Sequence, residues 1–127
     1  MVGGFSLSIG NPHVIFFVND FDKFNIKKIG PEIENHNYFP KKCNVTLANI
    51  KNNKHIVVKV WERGAGLTKA CGTAACATVV SGSILKLNDR CANVEFPEGL
   101  INIDWNINNN IYMKGKVSEI KKIIVNI

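Results

Sequence analysis

Alternating apolar and polar positions recur along most of the chain and predict a fold built mainly from strands. Residues 5–9 (FSLSI) and 13–18 (HVIFFV) flank the turn Gly10-Asn11-Pro12, and 44–50 (NVTLANI) and 55–61 (HIVVKVW) read as a hairpin around Lys51-Asn52-Asn53-Lys54. A second hairpin is expected where Pro97-Glu98-Gly99 separates NVEF (93–96) from LINIDWNI (100–107). In that last strand Ile101, Ile103, Trp105 and Ile107 alternate with Asn102, Asp104 and Asn106, so one face is expected to be buried and the other wet. NIYMKGKVSEI (110–120) and KKIIVNI (121–127) supply the final strands, while 22–37 read as one or two short helical turns on the surface. The pattern changes at Ala70, after which no ionisable Asp, Glu, Lys, Arg or His occurs until beyond Leu85. A helix over 72–86 has only small or apolar sides (Ala74, Ala75, Ala77, Val79, Val80, Ile84, Leu85), which means burial all round. Together these elements imply an α+β fold, a strongly curved, barrel-like, mostly antiparallel sheet wrapped around one central helix, with residues 1–127 as a single domain.

Composition supports a globular domain, with 46% hydrophobic and 20% charged residues in a chain of 127. The net charge of +6 raises the question of nucleic acid, but Lys and Arg are spread in ones and twos (Lys27-Lys28, Lys41-Lys42, Lys121-Lys122) without interleaved aromatics. A solvated basic surface is expected, and no nucleic-acid partner. The uncharged run is shorter than the ~20 residues a bilayer needs, so no membrane partner is expected either. MVGGFSLSIG lacks the basic start and cleavage site of a signal peptide, which points to a cytoplasmic protein with reduced thiols. Cys43, Cys71, Cys76 and Cys91 include no C-x-x-C pair, and Cys71 and Cys76 would face about 140° apart on a helix. No metal site is expected.

The chemistry concentrates in ERGAGLTKACGTAACA, residues 62–77. A helix buried on every side still has free N–H groups in its first turn, and here that end carries Ala70-Cys71-Gly72-Thr73. A carboxylate would satisfy those donors and the helix dipole together, with Gly72 admitting it close to the backbone and Thr73 adding a hydroxyl. The same field favours a thiolate, which makes Cys71 a candidate base or nucleophile; the alternative is a small buried residue. Glu62 and Arg63 end the strand entering this loop and project towards the helix start, or else form an ordinary surface ion pair. Asn11 and Asn44 could be turn and strand-opening residues, and His13 a satisfied core histidine. His36 and His55 carry no motif. A phosphate loop is excluded because G-x-x-x-x-G-K-[ST] is absent.

WERGAGLTKACGTAACA resembles the C-terminal signature of the diaminopimelate epimerase family, and SIGNPHVIFFV and FPKKCNVTLANI match that family's other blocks in order and spacing. The resemblance runs from about Leu7 to the C-terminus and covers only the second of the family's two similar lobes. Nothing here resembles the first lobe's C-G-N-G cysteine motif; Leu67 and Ala75 stand where many members carry Glu and Gly.

The resemblance implies an isomerase that interconverts L,L- and meso-diaminopimelate without a cofactor, in lysine and peptidoglycan precursor synthesis. Cys71 would be one of two acid–base cysteines, Gly72 and Thr73 backbone donors to the α-carboxylate, and Asn11 and Asn44 ligands of the distal amino acid end. Arg63 would pair with the distal carboxylate, Glu62 would meet an ammonium group and help set cysteine ionisation, and His13 would tune the same equilibrium. Cys43, Cys76 and Cys91 would be structural thiols. The partner implied is the absent N-terminal lobe, without which the chain is expected to be inactive and to self-associate through the exposed lobe face. A related two-cysteine racemase and a non-catalytic carboxylate-binding module are the alternatives.

Overall fold

Nine strands and two α-helices make up the described part of the chain in a computed structural model, which covers residues 3–68, 71–115 and the backbone of 120–124. The portions of the expected last strands at 116–119 and 125–127 lie outside the described residues. Strands β1 (Phe5–Ser8), β2 (Pro12–Phe17), β3 (Asn44–Asn52), β4 (His55–Glu62), β5 (Gly66–Thr68), β6 (Cys91–Phe96), β7 (Gly99–Trp105), β8 (Asn110–Lys114) and β9 (Ile120–Ile124) form one sheet. The order is β1-β2-β3-β4-β6-β7-β8-β9, with β5 paired on β4 beside β6. Every neighbouring pair is antiparallel except β2–β3 and β4–β6. Parallel neighbours need a crossover, and each crossover carries a helix. Helix α1 (Ile26–Glu34) lies between β2 and β3, and α2 (Gly72–Ile84) between β5 and β6.

The two helices occupy opposite faces of the sheet. On the concave side Ala74, Ala75, Cys76, Ala77, Val79 and Val80 of α2 are buried in one cluster with Ile15, Ile56, Val58, Val60, Ile103 and Ile111. Their small side chains let the sheet close around the helix backbone, and the only polar groups on that stretch bond back one turn: Thr78 Oγ1 donates to Ala74 O and Ser81 Oγ to Ala77 O. On the convex side Ile26 of α1 packs with Val14, Val18, Cys43, Val45 and Leu47, and with the half-buried Ile33 and Trp61. Alternation within β2 divides these cores, since Ile15 joins the inner cluster and Val14 the outer.

The expected architecture is observed, with local corrections. Helix α2 is buried from Ala74 to Gly82, but Ile84 and Leu85 emerge at its C-terminal end into solvent. Ile107, expected on the buried face of its strand, is 92% exposed: β7 ends at Trp105, and a turn through Asn109, with φ +65°, reverses the chain. The segment 22–37 holds a short 3-10 turn (Phe21–Lys23) and a nine-residue helix whose Ile26, Gly30 and Glu34 are buried. Strand β5 was not foreseen, because GLT is too short to show alternation. No helix among the described residues is long and apolar enough to cross a membrane.

Candidate functional site at the start of the central helix

Cys71 is the N-cap of α2, with an extended backbone (φ −149°, ψ 110°) and no side-chain bond to the first-turn amides. Its half-buried thiol lies 3.6 Å from Thr73 Oγ1. Asn11 Nδ2 donates to that same hydroxyl at 3.5 Å, from the turn between β1 and β2. Behind Asn11, its Oδ1 is 3.2 Å from His13 Nε2. Burial pushes His13 down to about 4, with the positive charge of Arg63 as a second cause. The ring is therefore neutral near pH 7 and Nε2 carries the hydrogen that Asn11 Oδ1 accepts. That assignment orients the Asn11 amide, sends its N–H towards Thr73, and leaves the Thr73 hydroxyl hydrogen free for the Cys71 sulfur. Among the described residues it also leaves His13 Nδ1 a buried acceptor without a partner.

A second group of contacts ties the Glu62-Arg63 loop to this line. Residues His13 and Asn44 sit side by side in the parallel β2–β3 register. Asn44 is 2% exposed; its Nδ2 donates to Pro12 O at 3.2 Å, and its Oδ1 accepts from Arg63 N at 2.7 Å. The Asn44 amide thus clips the start of β2 to the end of β4. Arg63 is exposed and donates from Nη1 to Lys41 O at 3.2 Å, which leaves most of its planar fork available. Glu62 falls in phase with Val58 and Val60 on the inner face and is half-buried; among the described residues its carboxylate makes no hydrogen bond or ion pair. Its neighbours turn sharply: Gly64 and Gly66 have φ of +77° and +84°, conformations that favour glycine.

Gly72 has a structural use that its sequence context did not reveal. A Cβ there would lie 2.7 Å from Met113 Sδ, so the thioether of β8 fills that space and borders the first turn of α2. All eight residues singled out in the sequence therefore cluster around two joined features, the helix start and the end of β4. Burial pushes Cys43 up to about 11 and Cys76 up to about 12, which fits structural thiols, whereas Cys91, expected with them, is exposed at the start of β6, and Cys71 is half-buried. Among the described residues no group of His, Cys, Asp and Glu is arranged to hold a metal ion.

Sequence reasoning missed Glu34. This buried carboxylate reaches the outer side of the same loop, accepting from Trp61 Nε1 at 2.9 Å and from Gly64 N at 3.1 Å. The available signal was the stripe Ile26, Gly30, Glu34 at helical spacing, which places an acidic residue on an apolar helix face.

Comparison with known proteins bears on family and fold. The family model described as diaminopimelate epimerase matches residues 5–120. The chain is 57% identical over 122 residues to the diaminopimelate epimerase of Pelagibacter ubique, covering 96% of this chain and 44% of that protein. For the diaminopimelate epimerase of Rhodopseudomonas palustris (strain TIE-1) the figures are 49% over 104 residues, 82% and 36%. The chain thus spans less than half the length of these relatives. The fold is shared with a Bacillus anthracis phenazine biosynthesis protein of the PhzF family, with a TM-score of 0.58 at 17% identity, covering 88% of this chain and 38% of that one.

Proposed function

This chain belongs to the diaminopimelate epimerase family, and on that premise we propose that it forms one lobe of an epimerase acting at an amino acid α-carbon of diaminopimelate. The observation that carries the reading is the line His13–Asn11–Thr73–Cys71 ending at the first turn of a buried helix, with the Arg63 guanidinium held only through Nη1 on Lys41 O among the described residues. An α-proton is weakly acidic, so its removal needs donors already aimed where negative charge develops. The free amides at the start of α2 serve the α-carboxylate without reorganisation, and Gly72 and Thr73 supply them.

Cys71 acts as acid or base according to direction. As thiolate it takes the α-proton, and the C–H electron pair passes to the α-carbon and its carboxylate. As thiol it returns a proton to the carbanion. Inversion requires the opposite transfer on the other face, and a second cysteine, on a lobe outside this chain, supplies it. The Thr73 hydroxyl steadies the charged sulfur, while His13 holds Asn11 in register from a neutral, buried position. Arg63 receives the distal carboxylate as a bidentate fork, Glu62 meets an ammonium group, and Asn11 and Asn44 present their remaining amide hydrogens to the distal end. No cofactor enters the scheme. The pathway is that of lysine and peptidoglycan precursors in the cytoplasm, and the chain alone lacks turnover.

Protection of Cys71 from iodoacetamide tests the ligand assignment directly. Meso-diaminopimelate at millimolar concentration should slow labelling of Cys71 and leave Cys91 unchanged, and L-lysine, which lacks the second carboxylate, should protect less. Equal protection by lysine would remove Arg63 from distal recognition. No protection by either would refute the substrate class.

A further inference from the structure

The Glu62-Arg63 loop is held from both faces of the sheet. On the inner side Asn44 Oδ1 accepts from Arg63 N; on the outer side Glu34 Oε2 accepts from Gly64 N, one residue later. The other Glu34 oxygen accepts from the Trp61 indole at 2.9 Å, one residue before Glu62. A single carboxylate thus brackets both site residues through their chain neighbours. It is 7% exposed, and a buried charged group is retained only with partners of this kind.

The surroundings are shaped to permit the contact. Gly30 precedes Glu34 by one helical turn, and a Cβ at Gly30 would lie 2.3 Å from Trp61 Cγ, so only glycine lets the indole lie against α1. On the far side a Cβ at Gly66 would come within 3.6 Å of the same ring. The indole is therefore packed between helix and loop, with its N–H directed at Glu34. Gly64 adopts φ +77°, the conformation in which its amide meets the carboxylate.

We propose that Glu34 is a positioning residue: from the convex face of the sheet it fixes the backbone on either side of Glu62 and Arg63, and so sets the distal-carboxylate side of the site without touching substrate. The part concerning substrate rests on the function proposed above; the clamp itself does not. A carboxylate serves two N–H donors, whereas the amide of Glu34→Gln offers one oxygen and turns an NH2 group towards the other donor.

The test uses the 127-residue chain, its Glu34→Gln variant and, in case that variant does not fold, Glu34→Asp, which keeps the charge on a shorter stem. Amide hydrogen exchange and NMR titration with meso-diaminopimelate are measured on each. Exchange at Arg63 and Gly64 should accelerate about tenfold or more, as expected when a charge-assisted bond closing a loop is lost, while Leu47 and Val79 keep their rates. Affinity for meso-diaminopimelate should fall several-fold, with Glu34→Asp intermediate on both readouts. A role confined to stability would instead raise exchange throughout the core and leave affinity alone. Unchanged exchange at Gly64, or faster exchange with unchanged affinity, overturns the proposal. If the wild-type chain takes up no diaminopimelate, the proposed substrate fails, and exchange at Arg63 and Gly64 decides the clamp alone.

Discussion

Replacing Asn44 with Ala should cost far more than the loss of one surface amide. The side chain is 2% exposed and joins two segments by donating to Pro12 O and accepting from Arg63 N. Truncation leaves a carbonyl and an N–H without partners, and each such buried group costs about 1–3 kcal/mol. Both bonds are only part-buried, so water relieves some of this, and the combined loss falls near 2–3 kcal/mol. That is a substantial fraction of the ~5–15 kcal/mol that holds a typical domain together. For a chain of this size it corresponds to a fall of roughly 10 °C in Tm. Thermal melts by circular dichroism, with urea titrations followed by tryptophan fluorescence, measure it. Asn44→Asp separates the two bonds, because it keeps the acceptor for Arg63 N and sets a carboxylate against Pro12 O. Asn44→Ala melting within about 2 °C of wild type would show that the amide does not join β2 to β4.

His13 should make stability depend on acidity. Its folded value is lowered to about 4 from an ordinary 6.5, so the unfolded chain binds a proton that the folded chain refuses between those values. Its contribution is complete above pH 6.5 and is lost as pH falls towards 4, by up to about 3 kcal/mol; urea midpoints across this window should flatten in His13→Gln. Among the thiols Cys71 should react first with iodoacetamide near neutral pH, because the positive end of α2 stabilises charge developing on its sulfur, while Cys43 and Cys76 should resist until the fold opens. Peptide mass spectrometry ranks them, and Cys91 labelling ahead of Cys71 would contradict the ordering. Gly82→Ala should destabilise by about 2–3 kcal/mol, since its Cβ would overlap Asn88 Oδ1 and dislodge the amide that donates to Val79 O; an unchanged urea midpoint would refute this.

Local chemistry explains which features could be read from the sequence. The uncharged run after Ala70 marked the buried helix because an exposed helix face ordinarily carries charged residues within three turns. Gly10-Asn11-Pro12 and Pro97-Glu98-Gly99 marked turns because those residues favour turn backbone. Alternation failed for Ile107 because periodicity carries no information on where hydrogen bonding stops; the strand ended at Trp105 and the pattern ran on. The parallel joints β2–β3 and β4–β6 were invisible for a related reason, since pairing across a crossover leaves no local trace.

At the site, residue identity was legible and partnership was not. Cys71, Asn11, Arg63 and Asn44 stood out through motif context, yet the Thr73 hydroxyl that links Cys71 to Asn11 emerged only from folding. Gly72 looked like room for a ligand, whereas Met113, forty-one positions later, occupies the space its missing Cβ leaves. Glu34 was overlooked because its donors lie 27 and 30 residues away, and one acidic residue on a short helix ordinarily faces solvent.

Whether Cys71 is one of two acid–base groups and needs a second lobe is decided by α-proton exchange. The chain is incubated with L,L-diaminopimelate in deuterated water, alone and together with a separately produced fragment of the Pelagibacter ubique relative comprising the part that this chain does not cover. Deuterium incorporation and stereochemistry at the α-carbon are then assayed. The expected result is no inversion by the chain alone, incorporation with inversion once the two lobes dock, and loss of both in Cys71→Ala. Inversion by the 127-residue chain alone, without a dimer bringing two Cys71 thiols together, or turnover that survives Cys71→Ala in the mixture, would contradict it.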